Sequence, residues 1–304
     1  MKKWTVYLRI VGFVLFFYFL KKISLDWDSI INAITQVDKY LFSLALFLSF
    51  ASVFLRVFRM NIIIKKVNSE NIYYSFFEKY LIYFTSLFFG SITPSRIGEV
   101  VKMRYFAKLG KFKAIFIIVW DRIWDVFYIL IPGIISFYFL GLKNFFYISV
   151  FAGILLIILF LIFRKSLIKF IPEKIKVLFK KENLIFNFKD LFYMNFYTFL
   201  SFIFYFIWYY LLFLMIGVKV PIIYMFWLQC FTVLINVLPI SMMGIGTRMA
   251  ANLYFLGKIG ISENNIVVFE FIILFFYIIT IVAGFVFWNL LEHIIKRRPE
   301  TYEV

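Results

Sequence analysis

Four charged residues crowd the first twelve positions of one short stretch of this chain. TPSRIGEVVKMRYFAKLG, residues 93–110, carries Arg96, Glu99, Lys102 and Arg104 directly after an apolar run. Arg96, Glu99 and Lys102 stand three apart, so on a helix they share one face. Arg presents a planar fork of donors that matches a phosphate. A helix begun after Pro94, over 97–108, would add free amides and positive potential at its start, which suits an anion. Inside a bilayer a charge costs at least ~2.5–3.5 kcal/mol, so several together imply a cavity or an ion pair. We assign anion chemistry to Arg96 and Glu99. Lys102, Arg104 and Lys108 read instead as side chains reaching the headgroups.

A second constellation is WDRIWD, residues 120–125. Asp121 and Asp125 are four apart, lie on one helix face and would repel if left alone. Arg122 is three from Asp125 and can pair with it, and a cation such as Arg96 could sit against Asp121. A structural salt bridge clamping this helix to a neighbour and a functional charge pair both fit the pattern. A third group, Asn236, Ser241, Thr247 and Arg248, surrounds PISMMGIGTRMAANLYFLG, residues 239–257. Arg248 is the only charge in that stretch and so its natural anion contact. Arg56 and Arg59 share a face near one end of an apolar run and read as snorkelling to the interface.

Nothing here resembles an enzyme. HExxH, GxSxG and Walker sequences are all missing. One cysteine, Cys230, excludes an intrachain disulfide, and one histidine, His293, beside Lys296, Arg297 and Arg298, is no metal site. No cofactor is expected. A carboxylate that couples lipid or solute movement to an ion is conceivable, and Glu99 is best placed for it.

The elements that position these residues must be membrane helices. Of 304 residues 64% are hydrophobic and only 16% charged, against roughly 45–50% and about 25% in soluble domains. The net charge of +17 lies mostly in loops beside apolar runs, which points to anionic headgroups rather than nucleic acid. Apolar runs fall at 4–20, 40–60, 73–92, 114–140, 145–163, 191–216, 220–238 and 264–290. That is an all-α polytopic protein with about eight spans. The first run is followed by KKISLDWD, which lacks the small residues of a cleavage site, so we read it as a retained helix.

The two Pro/Gly stretches break this pattern, and irregular backbone at membrane depth must be buried in protein or line a wet cavity. Loop 164–190 carries eight Lys/Arg against three acids; with the basic N-terminus, Lys65 and Lys66, and the basic tail, it belongs in the cytoplasm. Each broken stretch then becomes the second arm of a hairpin that returns to the side it left. Two units result, about 40–140 and 191–290, of opposite orientation, within a single transmembrane domain 1–290 followed by a cytoplasmic tail 291–304. Inverted repeats with discontinuous helices are a transporter architecture.

PSRIGEVVKMR, then WDRIWD, then LPISMMGIGTRMA resembles the flippase-like membrane family that includes the transmembrane region of lysylphosphatidylglycerol synthase, over about residues 5–290. The resemblance implies translocation of a phosphate-bearing lipid, either a phospholipid or a polyprenyl-phosphate or glycolipid, in the cell membrane. It places Arg96, Glu99, Asp121, Arg122, Asp125, Asn236, Ser241 and Arg248 around the headgroup. Two departures matter. No aminoacyl-transferase domain follows, so the chain is not expected to make the lipid, and Met249 stands where the family often has Glu after Arg248. The alternatives are a non-transporting partner of a glycosyltransferase or other lipid-modifying enzyme, docked through loop 164–190, and an ion-coupled carrier of a small anionic solute.

The charge count sets a first test. Lys176→Cys should be labelled by an impermeant thiol reagent only from the cytoplasmic side of a cell. Ready labelling from outside reverses the orientation and removes the inverted repeat.

Overall fold

A computed structural model describes residues 37–68, 72–170, 186–237 and 246–296. The apolar run 4–20, the basic segment 171–185, the start of the second break with Ser241, and the tail from 297 lie outside them. The described chain is helical: α1 (Lys39–Val67), α2 (Phe76–Ile92), a 3-10 segment (Pro94–Val101), one turn α3 (Lys102–Tyr105), α4 (Lys111–Phe139), α5 (Lys143–Phe170), α6 (Phe188–Met215), α7 (Ile222–Val237), α8 (Thr247–Lys258) and α9 (Glu263–Lys296). The seven apolar runs beyond residue 40 each become a helix, with ends displaced by a few residues.

Three of these, Lys39–Val67, Phe188–Met215 and Glu263–Ile295, are long and apolar enough to cross a membrane. Their outward faces carry exposed Phe47, Phe196 and Val282, which suits lipid and not water. The chain is therefore a membrane protein. α4 has the same 29 residues as α1, but Asp121, Arg122 and Asp125 interrupt its apolar course. α2 and α7 have 17 and 16 residues. At 1.5 Å per residue they reach ~26 and ~24 Å, short of the ~30 Å hydrocarbon layer.

Helix starts follow local chemistry. Asp38 caps α1 by accepting from the Tyr40 and Leu41 amides. Ser75 and Glu78 form a reciprocal capping box on α2. After α2 the chain turns at Thr93 and runs back along it. The Gly98 backbone meets the Phe89 carbonyl so closely that a Cβ there would collide with it. Lys102 lies over the Tyr83 ring, and the Tyr74 hydroxyl donates to the Tyr105 carbonyl. The arms of this hairpin are thus antiparallel, with Thr93 at the tip. α7 and α8 also pack together: the Tyr224 hydroxyl donates to the Phe255 carbonyl, and the Phe231 and Phe255 rings lie 4.9 Å apart.

The expected helix over 97–108 does not form. Gly98 N–H donates to Thr93 Oγ1 at 2.7 Å, and Thr93 Oγ1 donates to the Phe89 carbonyl at 2.7 Å. That chain of bonds winds the segment into a tight 3-10 coil and satisfies the Gly98 amide, which was expected to be free for an anion.

Three antiparallel contacts join residues 39–139 to residues 188–296. α1 crosses α6, where the Ser201 hydroxyl donates to the Ser52 carbonyl at 3.2 Å. α2 lies on α9 and α4 on α7. In the last two a glycine of the longer helix sits against the shorter one. A Cβ at Gly284 would stand 2.7 Å from Phe88 Cβ, and one at Gly133 would stand 2.8 Å from Leu234 Cβ. Small residues let membrane helices approach this closely. Two apolar clusters result, one around Met60, Phe84 and Phe106 and the other around Phe213, Phe231 and Phe269.

Both glycine contacts should be needed for stability. Gly133→Leu and Gly284→Leu each overpack a helix pair, at about 1–3 kcal/mol or more. Gly153→Leu, in open space on α5, is the control. Melting in detergent should fall for the first two and stay unchanged for the third.

Candidate functional site

Between the two apolar clusters lies a layer of buried charge. Arg59, fully buried, projects from α1. Its guanidinium meets Asp121 Oδ1 at 2.7 Å and Asp125 Oδ1 at 2.8 Å, and donates to Thr198 Oγ1 of α6 at 3.1 Å. The i, i+4 spacing of the two aspartates gives one fork both carboxylates. Asp121 turns its other oxygen to Lys102, 3.4 Å away on the return arm of the first hairpin. Lys102 is also 3.9 Å from Glu99. Asp125 turns its other oxygen to Arg122 at 3.5 Å, and Arg122 pairs in turn with Glu99. Acid and base alternate through the layer, so each carboxylate touches two cations.

Arg56, one turn before Arg59, completes the layer. Its Nε donates to Ser201 Oγ at 3.0 Å. Among the described residues no carboxylate lies within ion-pair distance of it. Four cations (Arg56, Arg59, Lys102, Arg122) therefore face three carboxylates (Glu99, Asp121, Asp125), a surplus of one positive charge in a setting that makes charge costly.

That surplus opens onto a cavity of ≈ 150 Å³. Arg56, Glu99, Arg122 and Asp125 form its charged wall, with Ser49, Ser52 and Ser91 beside them. Tyr205, Tyr277 and Thr280 of α6 and α9 form the opposite polar wall. α1, α2, the return arm, α4, α6, α7 and α9 all contribute. A chamber of this kind, ringed by donors and one surplus cation, can replace the water around a singly charged anion.

A second buried cluster lies behind the cavity. Arg248 Nε donates to Glu270 Oε2 at 2.9 Å, and Asn252 donates to the other carboxylate oxygen at 2.5 Å. The Tyr209 hydroxyl reaches Asn252 at 3.4 Å. Arg248 lies over the Tyr277 ring, 5.2 Å from its centroid, so one aromatic separates it from the cavity.

Several expectations need correction. Arg59 does not snorkel, because two carboxylates on α4 compensate its charge at depth. Arg56 lines the cavity instead of reaching the interface. Lys102 is 2% exposed and paired, which excludes a headgroup role. Asp121 is balanced by Arg59 and Lys102, which leaves no need for Arg96. Arg248 is taken up by Glu270, a residue that sequence reasoning passed over inside an apolar run. Its position 22 residues after Arg248 resembles that of Asp121, 19 after Lys102. Arg96 has its backbone in the 3-10 segment, but its side chain lies outside the described residues, as does Ser241. Asn236, near the end of α7, does not line the cavity, and its buried Oδ1 has no hydrogen-bond partner among the described residues.

The Arg59 clamp predicts a stability difference. Arg59→Gln takes one of the two cations from each of two buried carboxylates, leaving Asp121 with Lys102 and Asp125 with Arg122, at about 3–5 kcal/mol. Arg104→Gln removes only the surface pair with Glu292, worth ~0–1 kcal/mol. Detergent melting should drop sharply for the first and barely for the second; equal melting would mean that water reaches Asp121 and Asp125.

Residues 6–284 match the family described as the lysylphosphatidylglycerol synthase TM region. Among the curated proteins none matches the chain.

Proposed function

The chain belongs to the family of the lysylphosphatidylglycerol synthase TM region, and from that premise we propose that it moves a phosphate-bearing lipid between membrane leaflets. The observation that carries this reading is the surplus cation Arg56 on the wall of a partly open cavity that has polar and apolar sides. A lipid phosphate must shed water to cross, and a bare anion in hydrocarbon is prohibitively costly. Arg56 and Arg122 offer the replacement for that water. On this reading the phosphate sits against Arg56 of α1 and Arg122 of α4.

The same reading takes the two halves as inverted repeats. Ser52 and Ser201, Glu99 and Arg248, and Asp121 and Glu270 are each 149 residues apart. Ser52 and Ser201 touch each other, as equivalent residues do on a twofold axis. The glycine contacts of α4 on α7 and of α9 on α2 correspond as well. Antiparallel crossing of α1 and α6 agrees with opposite orientations in the membrane. On this reading the Thr93 hairpin is re-entrant, both termini are cytoplasmic, and the protein is a multi-pass component of the cell membrane.

In proteoliposomes Arg56→Gln should slow translocation of a labelled phospholipid or prenyl phosphate by about tenfold or more, the loss of one charged hydrogen bond of ~1.5–3 kcal/mol. Arg56→Lys should recover part of the rate, since Lys keeps the charge without the fork. A wild-type rate in Arg56→Gln, or a wild-type protein that moves no lipid, overturns the reading.

A further inference from the structure

We propose that the hydrocarbon tail of the bound lipid leaves the polar cavity sideways, through a slot between α4, α6 and α7. This deepens the translocator reading and rests on it. An apolar groove of ≈ 190 Å³ lies against those three helices. Tyr128 and Pro132 of α4, Phe199 and Phe206 of α6, and Phe226 and Cys230 of α7 line it. No charged side chain does. Three further residues, Ile129, Phe202 and Val233, line both this groove and the polar cavity. One residue from each helix thus forms the wall common to the two spaces.

The chemistry of the pair identifies the occupant. The cavity has four charged side chains on its wall and the groove has none, so a ligand that fills both has an anionic head and an apolar tail. A free phosphate satisfies only the first. Phe199 of α6, which lines the groove, is exposed and apolar, so the groove continues into lipid on that side.

The slot lies between ties that hold the three helices together, and at its own level the Gln229 side-chain amide of α7 donates to the Tyr205 carbonyl of α6 at 3.0 Å. At one end the Tyr128 hydroxyl ties α4 to Asn195 of α6 at 2.8 Å. At the other, Gly133 locks α4 onto Leu234, and Phe139 stacks on Trp227 at 4.3 Å. Between these ties stand Ile129 and Pro132, and Pro132 removes one backbone hydrogen bond from α4 at that level. Ile129, Phe202 and Val233 are half-buried and meet without polar bonds, so rotamer changes alone can widen the passage.

The test uses purified full-length protein in vesicles containing a phospholipid with a diazirine in its acyl chain. After illumination, peptide mass spectrometry should find the label on 128–132, 199–206 and 226–233. Val233→Trp, which fills the slot, should lose that labelling and slow translocation. Val286→Trp on the lipid face of α9 should do neither, and both variants should melt like wild type. Labelling confined to other surfaces, or undiminished in Val233→Trp, overturns the slot. Failure of the phosphate reading looks different: the groove is labelled, but Arg56→Gln changes neither labelling nor rate. Millimolar glycerophosphoglycerol, a head without tails, should not displace the label. If it does, and is itself carried into the vesicles, the site belongs to a solute carrier and the slot is overturned with the lipid.

Discussion

One guanidinium inside the bundle determines where the other charges go. Arg59 takes one oxygen from Asp121 and one from Asp125 while it reaches across to Thr198. Removing such ions from water costs several kcal/mol each, and their mutual attraction returns a similar amount. The clamp is therefore a weak source of net stability and a strong source of register. If α1 slid by one turn against α4 or α6, Arg59 would be buried without a partner, and Asp121 and Asp125 would each keep only one cation. With Arg59 in place, the second oxygen of Asp121 can take only a cation from another element, and Lys102 brings the return arm of the first hairpin to it. The second oxygen of Asp125 holds Arg122, which carries the pairing on to Glu99. Arg56 is what remains, one turn from Arg59 and facing the space that these pairs enclose.

Most of the helices were legible in the sequence because each announces itself by an apolar run, three of them long enough to cross a bilayer. The hairpin was legible too, because Pro94 and Gly98 stop α2 and the flanking basic residues leave no room for another crossing. Pairing was not. Asp121, Arg122 and Asp125 could be placed on one helix by their spacing, but which helix supplies the answering cation depends on packing between segments 60 residues apart. Arg59 near the end of an apolar run looks the same whether it reaches lipid headgroups or a buried carboxylate. Glu270 escaped because one acid in ILFFYIIT-rich surroundings reads as an isolated polar residue. Its match to Asp121 becomes visible only when the halves are laid over each other at a separation of 149. The free amides expected at a helix start did not include that of Gly98, which donates to the Thr93 hydroxyl, because a 3-10 coil follows Pro94 in place of an α-helix.

If the halves are inverted repeats, they put corresponding positions to different use. Asp121 and Glu270 both receive a cation from the segment after the break. In the first half the partners are shared among several charges, and the network opens to the cavity. In the second, Arg248, Asn252 and Glu270 are all buried, and their one carboxylate and one guanidinium cancel. On the inverted-repeat reading, one half carries the variable charge of the site and the other acts as its fixed wall, with Tyr277 as the face it presents.

That division bears on release, which a translocator needs as much as binding. A deep site with two uncommitted guanidinium groups would hold a phosphodiester with two charge-assisted bonds in a low dielectric, and would not let it go. Here the surplus is a single charge, and the cavity has room for water. On the translocator reading, an empty site leaves Arg56 to water, and an occupied site exchanges that water for a phosphate of opposite charge. The exchange is close to balanced, so small changes in the width of the slot or in the pairing of Arg122 with Glu99 can tip it either way. Glu270 contributes to this balance from a distance. By neutralising Arg248 it keeps the second half from adding the extra positive charge that would turn a passage into a trap.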